Sequence, residues 1–243
     1  MVMKIVSVIV PIYNEENTLE QLVNHVLTAD RLGLELDLVL VDDCSKDGSA
    51  QITKNLTDKH PEIRSFANPV NMGKGAALRL GFEKAKGDII LIQDADLEYD
   101  PSEYHKLLAP FLNDGADVVY GSRFRGGDIS RVLYFWHSVG NKALTILSNV
   151  FTNLTLTDME TCYKVFRREI IAQVIIEENR FGFEPEITAK ISRLPIRPKI
   201  FEVGITYHGR TYADGKKITW KDGVKALYCI LRYNLFSYRT PNP

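Results

Sequence analysis

Gly87-Asp88-Ile89-Ile90-Leu91-Ile92-Gln93-Asp94-Ala95-Asp96-Leu97-Glu98 decides how the chain is read. An apolar run of strand length stops at two carboxylates spaced i, i+2, with a third at Glu98, so negative charge gathers where a buried strand reaches the surface. Such a tip can hold a divalent cation. Mg2+ and Mn2+ favour hard oxygen ligands and bind through one or two carboxylates, leaving positions for water and substrate phosphates. Asp-x-Asp on its own also reads as a solvated turn.

The sequence on either side alternates strand and helix. Ile5–Ile12 is β-branched and continuous, as expected of a strand covered on both faces, and residues 18–27 have helical spacing through Leu19, Leu22, Val23 and Val26. Residues 36–41 form a second buried strand that ends in a turn cluster at 42–49, and residues 50–59 follow as a helix. Residues 63–67, 75–85, 88–93, 102–112 and 117–121 continue the alternation. This order predicts right-handed crossovers and a doubly wound, mostly parallel α/β sheet, in which ligands sit beyond the carboxyl ends of the strands. Tyr13-Asn14-Glu15, Asp42-Asp43, residues 71–75, Asp94-Ala95-Asp96 and Ser122-Arg123 all fall at such ends, so one crevice can collect them.

Composition narrows the classes. A chain of 243 residues, 45% hydrophobic and 25% charged, can bury a substantial core and is not disordered. A formal net charge of -1 argues against a nucleic-acid binder, which would carry a basic excess. Cys44, Cys162 and Cys229 form no Cys-x-x-Cys pair and leave one over, which fits a reducing, cytoplasmic compartment. The apolar run at Ile5–Ile12 is too short for a signal peptide, and no 18-residue uncharged apolar run predicts a membrane span.

Four motifs carry a family resemblance: Val10-Pro11-Ile12-Tyr13-Asn14-Glu15-Glu16, Val41-Asp42-Asp43-Cys44-Ser45-Lys46-Asp47-Gly48, Asn71-Met72-Gly73-Lys74-Gly75 and Asp94-Ala95-Asp96-Leu97-Glu98. Together they resemble the family 2 glycosyltransferases, which have the GT-A fold. Gly121-Ser122-Arg123-Phe124, Thr157-Asp158-Met159-Glu160-Thr161-Cys162-Tyr163-Lys164 and Gly209-Arg210-Thr211-Tyr212 are similar, more narrowly, to the polyprenyl-phosphate hexose synthases of the dolichol-phosphate mannose and glucose branch. The resemblance spans nearly the whole chain, which is read as a single domain, 1–243, with a nucleotide-sugar-binding half at 1–124 and an acceptor-binding half at 125–243.

The resemblance implies roles at matching positions. Pro11, Tyr13 and Glu15 contact the nucleotide base and ribose, with Val41 and Asp43 as the other wall. Lys74, Asp94 and Ala95 lie near the nucleotide sugar. Asp96, with Glu98, ligates Mg2+ or Mn2+. Arg210 and Lys216 close on the diphosphate. Cys44 departs from the small residue many relatives place there, and no chemistry is expected of its thiol. The donor is a nucleotide sugar, a UDP-hexose favoured over GDP-mannose. A metal then stabilises the leaving diphosphate. An alcohol acceptor would need a carboxylate base, but a polyprenyl or dolichyl phosphate is already anionic and needs cationic positioning, assigned to Arg123 and Arg131. Asp158 orients these arginines or the sugar, or else serves a structural turn. Single displacement inverts the anomeric centre.

Val132, Phe135, Trp136, Val139, Ala143, Ile146, Leu147 and Val150 recur at helical spacing, opposite Ser138, Asn141, Thr145, Ser148 and Asn149. The stripe suits a helix at a membrane interface, with packing or homodimerisation as the alternative. Val224, Leu227, Tyr228, Leu231 and Leu235 form a second stripe, accompanied by Lys216, Lys217, Lys221, Lys225, Arg232 and Arg239, which anionic lipid would attract. Membrane contact is therefore expected to be peripheral, on the cytoplasmic face, or through a separate membrane protein. The resemblance implies that Glu184 or Glu186 touches the donor sugar or the Arg210 region, and each equally reads as a helix N-terminal acid; His137 and His208 are read as structural. Two rival classes remain: transfer to a saccharide or other hydroxyl, for which no base stands out, and a non-catalytic nucleotide-sugar-binding partner of a membrane transferase. A dinucleotide oxidoreductase is excluded, because Gly73-Lys74-Gly75-Ala76-Ala77-Leu78 lacks the third glycine.

Overall fold

β1 (Ile5–Ile12) and β4 (Ile89–Ile92) lie side by side, and Val8, Ile9, Val10, Ile90 and Leu91 are wholly shielded from solvent. Continuous apolar strands of this kind form where helices cover both faces of a parallel sheet. The computed structural model describes residues 3–126, 135–209 and 220–236. Its chain order is β1, α1 (Leu19–Thr28), β2 (Glu35–Asp42), α2 (Ser49–Lys59), β3 (Ile63–Ala67), α3 (Lys74–Lys84), β4, α4 (Tyr104–Asn113), β5 (Val118–Ser122), α5 (Phe135–Thr152), β6 (Lys164–Arg167), α6 (Arg168–Ile171), α7 (Phe183–Ser192), β7 (Ile200–Gly204) and α8 (Trp220–Leu231). The sheet order is β3-β2-β1-β4-β6-β5-β7. Only β6 runs antiparallel to its neighbours, so the sheet is mostly parallel as the alternation predicts.

The sequence does not announce β6 or β7. β6 is four residues long and opens on Lys164, a buried lysine, while β7 is a half-buried strand that pairs, among the described residues, with β5. Both come from beyond residue 124, so strands of the two halves share one sheet.

α5 inverts the usual rule. Its polar residues Thr145, Ser148 and Thr152 are buried, whereas Phe135, Trp136, Val139, Ile146 and Val150 are exposed. The polar face satisfies backbone. Met159 N donates to Thr145 Oγ1 at 3.1 Å, and Asn149 bonds both the N–H and the C=O of Leu156. Within the expected stripe, Leu147 packs inward against the core, and Val132 lies outside the described residues. α8 buries Ala226, Cys229 and Ile230 and exposes Val224, Leu227 and Tyr228. α5, α7 and α8 pack against one another, with both apolar faces turned outward. Among the described residues no helix is long and apolar enough to cross a membrane.

Candidate functional site

The acids at the tip of β4 are positioned by Gln93, a wholly buried residue that the strand reading passed over. Tyr104 and Tyr163 hydroxyls donate to its Oε1 at 2.8 and 2.7 Å, and its Nε2 donates to the Asp94 carbonyl at 2.9 Å. The turn that follows holds Leu97 at φ 61, and Glu98 N donates to Asp96 Oδ1 at 3.1 Å. The Tyr207 hydroxyl donates to Glu98 Oε2 at 2.7 Å.

Lys74 faces these acids from the start of α3. Its ammonium lies 2.9 Å from Asp94 Oδ1 and 3.2 Å from Glu184 Oε1. Burial disfavours its charge, but Asp94 and Glu184 outweigh that effect and hold its pKa well above the ordinary lysine range. The loop before it depends on Asp43, which is 2% exposed. Asp43 Oδ1 accepts from Asn68 Nδ2 and Met72 N, and Oδ2 accepts from Asn71 Nδ2 and Gly73 N, at 2.6–3.0 Å. A carboxylate offers about four acceptor sites, so Asp43 works first as the organiser of this loop.

Arg123 and Asp158 form a buried bidentate pair. Arg123 Nε and Nη2 donate to the two carboxylate oxygens at 2.7 Å each, and its backbone N–H adds a third bond at 3.0 Å. The guanidinium lies 5.1 Å from the centre of the Tyr207 ring, so Tyr207 links Arg123 to the acidic turn. Glu160 sits nearby in the cavity wall. Burial, reinforced by the Glu184 carboxylate, pushes its pKa up to about 8, while Lys164 and Arg123 pull against the shift.

These groups border one cavity of about 900 Å³ at the carboxyl ends of the parallel strands. Pro11, Tyr13, Glu15, Asp43, Lys74, Asp94, Ala95, Asp96, Glu98 and Arg123 all line it. Two sequence-derived residues do not. Val41 is fully buried in β2, so its side chain belongs to the core, and Asp158 lies beneath Arg123. Arg131, Arg210 and Lys216 lie outside the described residues, as do Lys217 and Arg239. The two α7 acids divide: Glu184 faces Lys74 and the cavity, while Glu186 accepts from the backbone of Glu177 and Glu178 and pairs with Lys190, a structural role. Asn141, Glu160 and Tyr207 also line the cavity. Sequence reasoning gave them no role, because their places on α5, in the turn before β6 and beyond β7 come to the cavity only through the packing of the whole sheet.

Among the described residues no three His, Cys, Asp or Glu side chains gather closely enough to hold a metal by themselves. Asp96 and Glu98 are nevertheless hard oxygen donors on one turn of the cavity wall. That pair suits Mg2+ or Mn2+ arriving with substrate phosphates, which complete the shell with water.

The profile described as glycosyl transferase family 2 matches residues 7–175. The chain is 31% identical over 215 residues to the undecaprenyl-phosphate 4-deoxy-4-formamido-L-arabinose transferase of Proteus mirabilis (strain HI4320), covering 87% of this chain and 62% of that protein. It is 30% identical over 219 residues to the dolichol-phosphate mannosyltransferase of Pyrococcus furiosus, covering 88% of this chain and 60% of that one. The chain thus spans about three fifths of the length of these relatives. In structure it resembles glucosyl-3-phosphoglycerate synthase from Mycobacterium tuberculosis, solved with Mn2+, uridine diphosphate and phosphoglyceric acid, with a TM-score of 0.73 and 20% identity, covering 97% of this chain and 80% of that one. That likeness establishes the GT-A fold. With the profile spanning β1 to the turn after α6, the chain belongs to glycosyl transferase family 2.

Proposed function

We propose that this chain transfers a sugar from a nucleotide donor to a polyprenyl phosphate at a membrane surface. The observation that carries the reading is the single cavity that sets Asp94, Asp96 and Glu98 against Lys74, with Arg123 held on Asp158 at its wall. Pro11, Tyr13 and Glu15 receive the base and ribose. Asp96 and Glu98 hold Mg2+ or Mn2+, which when bound offsets the charge developing on the departing diphosphate. Lys74 contributes a fixed positive charge to the same region.

The acceptor end needs a cation and not a base, since a lipid phosphate is already anionic. Arg123 meets that need. Its Nε and Nη2 are anchored on Asp158, which fixes its positive charge at the cavity wall. The names of the Proteus and Pyrococcus relatives support a polyprenyl-phosphate acceptor, and the Mn2+ and uridine diphosphate of the structural neighbour support a metal-assisted UDP-sugar donor. Inversion follows from single displacement, giving a β-linked product from an α-linked donor. Arg131 is assigned to the same acceptor phosphate, and Arg210 and Lys216 to the diphosphate. The outward apolar faces of α5 and α8 support membrane contact.

The test is release of nucleoside diphosphate from a panel of UDP- and GDP-sugars, with Mg2+ or Mn2+ and a short polyprenyl phosphate. Asp96→Ala is expected to abolish turnover. Arg123→Lys is expected to lose more activity with lipid phosphate present than in slow donor hydrolysis, because lysine keeps the charge but not the fork. Arg123→Ala is the poorer probe: it strands a buried carboxylate at a cost of about 3–5 kcal/mol. Equal losses in the two assays would remove the acceptor role of Arg123, and turnover without any divalent metal would remove the role of Asp96 and Glu98.

A further inference from the structure

Residues 176–182, the strap that leads into α7, touch the donor loop on one side and α8 on the other. Towards the loop, Ala76 N donates to the Asn179 carbonyl at 3.1 Å, and Arg79 Nη1 donates to the Ile176 carbonyl at 2.7 Å. A Cβ on Gly73 would lie 2.6 Å from the Asn179 carbonyl oxygen. The first amides of a helix lack i−4 partners, so the strap completes the start of α3, which presents Lys74 to the cavity. Arg180 and Phe181 of the strap line that cavity themselves. Towards α8 the strap is held by charge. Glu178 Oε2 lies 3.1 Å from Lys225 Nζ, and its Oε1 lies 3.3 Å from Arg232 Nη1 and accepts from the Tyr233 hydroxyl at 3.1 Å. Glu177 Oε2 lies 3.1 Å from Arg232 Nη2.

Lys225 and Arg232 are two of the cations that the sequence offers to anionic lipid, and the structure has them already engaged. Lys225 Nζ also lies 5.0 Å from the centre of the exposed Tyr228 ring, beside the outward apolar face of α8. The two cationic side chains are 44% and 37% exposed, so a lipid headgroup reaches them, whereas that of Glu178 is 8% exposed and cannot follow. Part-exposed pairs are individually weak and screened by salt. An anionic surface attracts each basic residue with comparable strength, so it competes with Glu177 and Glu178 for the same two cations. Buried Ala226, Cys229 and Ile230 keep α8 in place while the cations turn outward. We infer that Glu178 is a positioning residue for the donor loop, and that an anionic lipid surface, by drawing Lys225 and Arg232 off it, loosens the strap and weakens the hold on the nucleoside diphosphate. The inference rests on the nucleotide-sugar and membrane readings above. Two effects have the same sign: the strap loses its anchor, and the freed carboxylates of Glu177 and Glu178 put negative charge beside Arg180 and Phe181 in the wall that faces an anionic diphosphate. Contact with the surface that carries the acceptor then favours release of the spent nucleotide. Coupling is reciprocal, so the diphosphate weakens surface binding by the same factor.

The experiment titrates UDP and GDP, with MnCl2, into the whole chain alone, with phosphatidylcholine vesicles, with vesicles that add phosphatidylglycerol, and with the soluble headgroup sn-glycerol 3-phosphate. Vesicle binding is followed by co-sedimentation and folding by Tm. Anionic vesicles should weaken the better-bound diphosphate about fivefold or more, the scale of ordinary allosteric coupling, while phosphatidylcholine and glycerol 3-phosphate leave it within about twofold. Glu178→Gln, and separately Lys225→Gln with Arg232→Gln, should bind the diphosphate about fivefold more weakly without vesicles and lose nothing further with anionic ones. A merely structural role would lower Tm and leave the vesicle effect in place. Equal weakening by anionic vesicles in the unmodified chain and in Glu178→Gln would be plain repulsion by the surface and overturns the inference. An unmoved affinity in an unmodified chain that co-sediments with the vesicles does the same. A loss with glycerol 3-phosphate that matches the vesicles, and that Glu178→Gln removes, makes the ligand a free phosphate and overturns the surface. Absence of vesicle binding removes the membrane contact, absence of UDP and GDP binding removes the nucleotide reading, and the coupling falls with either.

Discussion

Single residues in this protein carry charge and geometry that their motifs only outline. Asn14 and Cys44 both adopt left-handed backbone, at φ 53 and 60. Asparagine tolerates that region, and Asn14 Oδ1 accepts from Lys46 N at 2.8 Å, joining the loops after β1 and β2. Cysteine is less suited to it, which gives a physical reason for the small residue that the family resemblance leads one to expect there. Glu160 makes a clear pH prediction. A glutamate carboxyl titrates near 4.5 when unperturbed, and in the fold Glu160 titrates at about 8. Between those values the unfolded chain has lost a proton that the folded chain keeps, so this group's contribution to stability falls as pH rises through the window and levels off above it. The groups acting on it are Glu184, Lys164, Arg123 and Asp158, and His137 lines the same cavity from α5. Urea unfolding from about pH 5 to about pH 9 should show the stability of the unmodified chain declining relative to Glu160→Leu. A pH-independent difference would contradict the assignment.

At the scale of elements, the start of α3 is fixed by close approach. Gly73 has φ 103, and a Cβ on Gly75 would lie 2.2 Å from the Glu178 carbonyl oxygen. Ala76 N donates to the Asn179 carbonyl at 3.1 Å, and Arg79 bonds the Ile176 carbonyl and Asn179 Oδ1, so the segment before α7 is laid along α3. Gly75→Ala should therefore destabilise the chain by about 2 kcal/mol or more, the scale of overpacking where backbone must move, seen as a lowered urea midpoint. An unchanged midpoint would mean the two segments separate freely. The Gly-Lys-Gly loop was legible in the sequence, but its reason was not, because the partner that excludes a side chain lies about a hundred residues away. α5 teaches the complementary lesson. Helical spacing revealed the helix, yet the polar stripe went inward because the turn at 153–159 offers backbone groups that Thr145 and Asn149 bond.

Across the whole molecule, an ion cluster ties the cavity walls together. Glu177 and Glu178 pair with Lys190, Lys225 and Arg232, which joins α7 to α8 and the π-helical turn Arg232–Phe236, and Asp222 and Ala226 of α8 line the cavity. The same packing leaves Ile146 and Val150 of α5 63% and 72% exposed. If this face meets lipid, Ile146→Asp with Val150→Asp should reduce co-sedimentation with anionic vesicles several-fold, with the unfolding midpoint unchanged, because neither side chain supports the core. Unaltered vesicle binding would remove the face from membrane contact. By itself the sequence determined the alternating α/β sheet, the acids at the tip of β4 and ten of the residues that border the cavity, since strand periodicity and turn chemistry are local and repeat along the chain. Only the tertiary structure decided that β6 enters antiparallel, that Val41 and Asp158 stand behind the cavity wall, and that Asn141, Glu160 and Tyr207 line the cavity. Those outcomes depend on which distant segments cross the strand ends, and burial and pairing there are properties of the packed whole.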